Sequence, residues 1–496
     1  MNVMLRFLAM AGAMLGFLSC LGAGLLGLRG CVPIAGQQVA VDTLALPAVP
    51  SAPVAPVLAR LVRQRLEELG NRAESTGLDA WPRAALLAFY RDDYAPVWGE
   101  AGGLNADALA ALALLARARD YGLQPEYYRL LRLQQLRDSL ASAPPARQAL
   151  LQAELELGLS AAVLRFMSDI SQSRLRSYAA FTGAEARARA LRQALSQHTV
   201  PQALLAGQPT HRAYRQLQQA LARWLAHPAS ADSLAGRQRG FEQAALNLER
   251  WRWSPIADSE YVLINIPAYE LQVVAPAGMQ RFHVIVGKPE SPTPTLSSSI
   301  THFTLAPDWH VPHSIATREM LPRLKKDSGY LLLEDLQLYD RGGQLVDPFQ
   351  VNWAAVTAQS FPYTIRQAAG CENALGNIVF RFANPYGVYV HDTPTRLFFN
   401  QPRRALSHGC VRLENPLQLA AYLLRRGGQP VELPSDEACS RQPRPRDVRL
   451  RRPMPLHLRY ATCLGQGGQL RFLPDIYGLD EPLWRGLFGV VTAPLK

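Results

Sequence analysis

The sequence predicts an α+β chain, with an all-helical N-terminal part followed by a mostly β C-terminal part. Three observations carry that expectation. From about Val57, apolar residues recur at three- and four-residue spacing, as in VLARLVRQRLEEL and ALAALALLARARDYGL. That is the period of helices with one buried face. From about Tyr261 the period changes, and YVLINI, ELQVVA and QRFHVIV are short alternating or apolar runs separated by Pro-Ala and Pro-Ala-Gly turns, which read as strands. At 496 residues the chain is too long for one ordinary core, so two or three domains are the prior.

The elements follow in order. Arg6 precedes an uncharged apolar run, Phe7 to Leu28, and residues 1–29 read as a signal peptide or a membrane anchor. The run is long enough to span a bilayer, while Leu21-Gly22-Ala23 offers a cleavage site. Either way the rest of the chain is exported. Residues 30–56, rich in Pro, Ala and Val, read as an extended linker. Residues 57–235 read as a helical domain, with further helical patterns at Ala146 to Met167 and His211 to Leu225. The aromatic-rich stretches Phe89 to Glu100 and Asp120 to Tyr128 interrupt it and read as core aromatics at helix junctions. Residues 236–434 read as the β domain, to which THFTLA, PYTIRQ, NIVFRF and GVYVH add strands. Asn415 and Pro416 open a helix there that ends at Gly427. Residues 435–496 read as an extension packing on that domain, with an arginine-rich loop from Arg441 to Arg452 and a hairpin turning at Gln466-Gly467-Gly468.

A hydrophobic content of 48% with 19% charge describes a globular chain, not a disordered one. The formal net charge of +12 is carried almost entirely by arginine and suits an anionic partner such as cell-wall polymer or an outer-membrane face. Nucleic acid is not implied, because no nucleic-acid motif appears. Of the six cysteines, Cys439 and Cys463 flank the arginine-rich loop and are the expected disulfide pair in an exported chain, with Cys371 free or a third candidate.

The chemistry concentrates in HDTPTRLFFNQPRRALSHGC, from His391 to Cys410. His391 ends the apolar strand GVYVH, and the small-residue turn Ser407-His408-Gly409-Cys410 follows a polar loop, with Arg412 just beyond. A thiol becomes a strong nucleophile only as the thiolate, and an imidazole can take and return its proton. Gly409 lets a carbonyl approach the backbone and turns N–H groups toward an oxyanion. Asp392, by side chain or carbonyl, is the nearest acceptor to orient His391. Arg412 is suited to stabilising a thiolate, gripping a carboxylate or bracing the loop. Tyr389 shares a strand face with His391, Ser407 supports the turn, and Trp309 is suited to a cleft wall or to core packing. His408 shares a face with Cys410 without assured contact. Zinc is not expected, because H-G-C is not a usual paired-ligand spacing.

At these residues the chain resembles the L,D-transpeptidases of bacterial cell-wall synthesis, whose catalytic domain is the YkuD-type β fold. The signature is His391, Ser407-His408-Gly409-Cys410 and Arg412. Family-like strings are NIPAYEL from Asn265, VIVGKP from Val284, PDWHVP from Pro307, NALG from Asn373 and VYVHDTP from Val388. The helical part resembles the scaffold of the large Gram-negative members, but the D-G-x-x-G-P-x-T turn of their inserted peptidoglycan-binding module is missing. The resemblance implies a periplasmic enzyme of cell-wall biogenesis and cell shape, with residues 7–28 as its signal or inner-membrane anchor. It implies Cys410 as nucleophile, His391 as base and no cofactor. The implied partners are peptidoglycan stem peptides, a tetrapeptide donor and a diaminopimelate amine acceptor, alongside other wall-synthesis proteins. It also implies 3→3 cross-links formed with release of D-Ala and acylation by carbapenems. Water as acceptor, giving a carboxypeptidase or amidase, and a non-catalytic wall-binding scaffold are the alternatives.

Overall fold

The computed structural model describes residues 54–71, 80–100, 103–175, 183–227, 234–434 and 444–489. The segment expected as signal or anchor and nearly all of the linker lie outside them. Among the described residues no helix is long and apolar enough to cross a membrane.

The chain opens as helices: α1 (Val54–Asn71), α2 (Ala80–Phe89), α3 (Ala106–Ala116), α4 (Leu130–Ser142), α5 (Pro145–Gln172), α6 (Ala184–Ser196) and α7 (Val200–Leu205). A short ribbon of β1 (Gly99–Glu100) and β2 (Gly103–Leu104) precedes α3. Asn105 starts α3 by accepting the Ala108 N–H at 2.9 Å, one of the donors a helix start leaves unpaired. The apolar faces of these helices meet in one core that includes Leu66, Leu115, Leu133 and Phe166. The aromatic segment after α2 is fastened to α5 by polar bonds. Glu156 accepts from the Tyr90 hydroxyl at 2.7 Å and the Val97 N–H at 2.8 Å, and the Trp98 indole donates to Ser160 at 2.7 Å. These aromatics are core, as their positions at helix junctions suggest.

Helices α8 (Arg212–Ala226) and α9 (Leu234–Trp253) lead to the strands β3 (Tyr261–Asn265), β4 (Glu270–Ala275), β5 (Gly278–Gly287) and β6 (Leu296–Leu305). An insertion follows: β7 (Trp309–His310), α10 (His313–Ile315), a π-helical turn at Ala316–Met320, α11 (Leu321–Leu324), α12 (Tyr330–Leu333), β8 (Leu336–Tyr339), β9 (Leu345–Val346) and β10 (Thr364–Gln367). It forms its own sheet, β7-β10-β8-β9, over a core that includes Met320, Leu331, Trp353 and Ile365. The main sheet resumes with β11 (Ile378–Phe382), β12 (Val390–His391), β13 (Ala405–Ser407) and β14 (Val411–Leu413). Helix α13 (Pro416–Arg426), strand β15 (Arg446–Arg459), the hairpin β16 (Cys463–Gln466) and β17 (Gln469–Phe472), and α14 (Asp480–Phe488) complete the order. Pro416 and Gly427 bound α13, but Asn415 has φ 51° and makes no side-chain cap.

The main sheet runs β13-β5-β14-β12-β11-β6-β15-β3-β4, and β5 also pairs with β4. The order therefore closes on itself, which removes the open edges a flat sheet would leave. Val262, Phe303, Phe380 and Val411 fill the interior, and α13 lays Leu419 and Leu423 against them. Strand β3 is buried on both faces, since Tyr261 and Leu263 turn outward onto α8 and α9.

Two expectations change here. The residues expected as an extension and arginine-rich loop supply β15, which lies between β6 and β3 inside the main sheet. Its arginines alternate with buried Val448 and Leu450, so they stand on the outward side of a strand. The expected Cys439–Cys463 bond does not form. Cys463 is a free, buried thiol in the core between the hairpin and α8, and burial pushes its pKa up to about 12. Among the described residues Cys371 is disulfide-bonded, and its partner is neither of the free thiols Cys410 and Cys463; Cys439 lies outside the described residues.

Candidate active site

Two short parallel strands set the site. In β12 and β14, Val390 stands opposite Val411 and His391 opposite Arg412. The valines point into the barrel core, so alternation turns His391 and Arg412 to the other face. One residue upstream, Tyr389 and Cys410 stand side by side. The Tyr389 carbonyl accepts the Val411 N–H at 3.0 Å, and the Tyr389 N–H and hydroxyl lie close enough to the Cys410 thiol to favour its thiolate. Trp309, from the inserted subdomain, in turn stands close to the Tyr389 hydroxyl. Trp309, Tyr389 and Cys410 thus stand in sequence across the site.

The turn before Cys410 is tightly bonded. The Ser407 hydroxyl donates to the Cys410 carbonyl at 2.5 Å and accepts the Gly409 N–H at 3.2 Å. The Thr293 hydroxyl donates to the Gly409 carbonyl at 2.8 Å. Gly409 has φ 117°, a conformation that favours glycine. The expected pair of oxyanion donors is reduced accordingly. The Gly409 N–H is engaged within the turn, which leaves the Cys410 N–H.

The electrostatics favour neutral resting groups. Burial raises the Cys410 thiol above its ordinary pKa, against the two Tyr389 donors and the cations Arg412 and Arg381. Burial and Arg412 push His391 down to about 3, opposed by the carbonyls of Asp392 and Leu375. Neither carbonyl makes a hydrogen bond of ordinary geometry with Nδ1, which has no partner. Burial also holds Tyr389 well above the usual phenol range. Near neutrality the site therefore holds a thiol and a neutral imidazole, a proton donor and a proton acceptor.

The other sequence-derived residues separate. Asp392 is turned away from the imidazole: its carboxylate accepts the Asn377 N–H at 2.9 Å and lies 3.8 Å from Arg396. A Cβ at Gly376 would meet that carboxylate at 2.5 Å, which accounts for the glycine of NALG. His408 does not reach the thiol. It is half-exposed, and its Nε2 lies 2.7 Å from Glu319 Oε1 in the π-helical turn. Arg412 is partly buried and has no carboxylate partner among the described residues. Sequence reasoning missed Arg381 of β11, whose guanidinium lies 5.6 Å from the Tyr389 ring centre and lowers the Cys410 pKa. Its signal was a lone cation inside the apolar strand NIVFRF.

Comparison with known proteins agrees with this geometry. Residues 259–433 match the YkuD L,D-transpeptidase catalytic domain, and residues 84–221 match a scaffold domain. A Haemophilus influenzae protein named “Putative L,D-transpeptidase” is 34% identical over 243 residues, 49% of this chain and 49% of that protein. The chain thus spans about half the length of the curated relative it matches. A solved L,D-transpeptidase from Mycobacterium smegmatis overlaps 40% of this chain and 58% of its own at 14% identity, with a TM-score of 0.18, too little overlap to argue from. Residues 259–433 are thus similar to the L,D-transpeptidase catalytic domain of the YkuD type, and residues 84–221, ahead of them, to a scaffold domain.

Proposed function

We propose that this protein is a peptidoglycan L,D-transpeptidase that forms 3→3 cross-links through an acyl-thioester on Cys410. The observation that carries the reading is the placement of the free Cys410 thiol on the same strand face as His391 and Arg412 across two adjacent parallel strands, with the Tyr389 hydroxyl close to the sulfur.

In this mechanism the Cys410 sulfur attacks the amide carbonyl between the third stem residue and terminal D-Ala. Its proton passes to His391, a neutral base before the reaction. The Cys410 N–H holds the tetrahedral oxyanion, and Arg412 and Arg381 favour the transient negative charge. The carbon–nitrogen bond breaks, His391 returns the proton to the departing amine, and D-Ala leaves. The amine of a neighbouring diaminopimelate then attacks the thioester and gives its proton to His391. The carbon–sulfur bond breaks, and the sulfur recovers that proton as a thiol. No cofactor takes part. Ser407 and Gly409 fix the turn, Asp392 fixes the segment after His391, and Trp309 holds Tyr389. The reaction is proposed for the periplasm of a Gram-negative bacterium, with residues 7–28 as an inner-membrane anchor or signal and other wall-synthesis proteins as partners.

Incubating the purified protein with a tetrapeptide stem dimer tests this by mass spectrometry. The expected results are a covalent adduct short of one D-Ala, then a cross-linked product when an acceptor amine is added. Hydrolysed tripeptide alone, with acceptor present, would overturn the transpeptidase reading.

A further inference from the structure

Arg381 stands beside the thiol site without a partner among the described residues. On β11 the Phe380 side chain packs in the barrel core opposite Val390. Alternation therefore turns Arg381 to the outer face, level with Tyr389 of β12. Its guanidinium carbon lies 5.6 Å from the centre of the Tyr389 ring, and Tyr389 is itself level with Cys410. Two strand steps, about 10 Å at the backbone, thus separate Arg381 from the thiol, and its charge still favours the thiolate.

The guanidinium is open to a ligand. Among the described residues no carboxylate, hydroxyl or carbonyl accepts from it, and none of its nitrogens is sealed from solvent. The side chain is nevertheless partly buried. No acid shares its row on the sheet: His302 stands opposite it on β6, and Arg449 opposite His302 on β15. A partly desolvated guanidinium with free donors is suited to grip a carboxylate through two parallel bonds. Arg412 also lacks a carboxylate, but it stands opposite the base His391 and acts on it.

We propose that Arg381 binds the terminal carboxylate of the donor stem, the one that departs with D-Ala. The transpeptidase reading supplies the identity of the peptide, and the proposal rests on it. That carboxylate is three bonds from the scissile carbonyl carbon and within about 4 Å of it. With the scissile carbon at the Cys410 sulfur, the carboxylate extends past the Tyr389 ring toward the guanidinium. The other carboxylates of the stem, on D-Glu and on the diaminopimelate side chain, share its chemistry but lie at least twice as many bonds away.

Isothermal titration of Cys410→Ala, which binds without reacting, tests this with the tetrapeptide stem and three analogues, each with one carboxylate replaced by a carboxamide. The D-Ala carboxamide should bind at least about tenfold more weakly than the parent, the usual loss for a hydrogen-bonded charge. The other two should bind as well as the parent. Arg381→Gln in the same background should weaken the parent to the level of the D-Ala carboxamide. Arg381→Lys keeps the charge and should restore part of the preference, which a merely structural arginine would not. A parent peptide that does not bind, a D-Ala carboxamide that binds equally well, a preference that survives Arg381→Gln, or a loss on amidating another carboxylate instead would each overturn the proposal. Product analysis of the wild type keeps the two claims apart. Cross-links without the carboxylate preference refute the Arg381 assignment alone, and the preference without cross-links refutes transpeptidation alone.

Discussion

The Tyr389 hydroxyl stands close to the Cys410 thiol and favours its thiolate, and the Tyr389 ring lies edge-on to His391, with centroids 5.6 Å apart. One side chain therefore touches both groups of the proposed proton transfer. In Tyr389→Phe the ring stays and the donor goes. The thiolate loses a stabilising bond, so the thiol pKa should rise. A rise of one unit leaves about tenfold less thiolate near neutrality. The pH dependence of Cys410 alkylation by iodoacetamide measures this, and an unchanged midpoint would refute the donor role.

Cys410→Ala should abolish acylation by a carbapenem, and Cys410→Ser should nearly do so, because a serine hydroxyl does not ionise at working pH. Intact-mass spectrometry reads the adduct directly. A full-size adduct on Cys410→Ala would move the nucleophile elsewhere.

His391→Ala should slow acylation by about 10²–10⁴-fold, the usual range for a general base. His408→Ala should have a much smaller effect, because His408 faces Glu319 and not the sulfur. Stopped-flow acylation rates for the two variants decide the matter, and equal losses would reverse the roles.

His391 also shapes stability against pH. Its folded pKa of about 3 lies below the ordinary value of 6.5, so the unfolded chain binds its proton first. Its contribution is fully present above pH 6.5 and is lost as pH falls from there toward 3. The slope approaches about 1.4 kcal/mol per pH unit where the unfolded form is protonated and the folded form is not. His211, held down to about 4 by burial, adds a second share of the same sign. Denaturant midpoints at pH 7 and pH 5 should differ less in His391→Gln than in the wild type. An identical difference would remove His391 from the account.

The thiols should separate by accessibility. In the native protein Cys410 should alkylate while Cys463, buried beneath the hairpin, reacts only after denaturation. Non-reducing peptide mapping should place Cys371, not Cys463, in a disulfide.

The placement of His391 at a strand end and of Cys410 after a small-residue turn was legible, because GVYVH is an apolar run and Ser407-His408-Gly409 is a turn of small and polar residues. Register was not. Arg381 approaches the thiol only because β11 lies beside β12, a neighbour relation no local pattern encodes. The Gly409 N–H looked available until Ser407 folded back onto it. Strand β15 was hidden by composition: the alternation of Val448, Arg449, Leu450 and Arg451 is a strand pattern, but the density of arginine made it read as a solvated loop. The cysteine pairing failed for a related reason. Flanking a loop says nothing about which way a side chain points, and Cys463 points into a core.

The place of β15 has a consequence for the order of assembly. It is the last long strand to be synthesised, yet it fills the gap between β6 and β3. Until residue 459 is available, both neighbours present open edges and the barrel cannot close. A nascent chain can already contain His391 and Cys410 while lacking the closed wall that holds their strands in register. The native register of the strands that carry His391 and Cys410 is therefore expected only once β15 has joined the sheet.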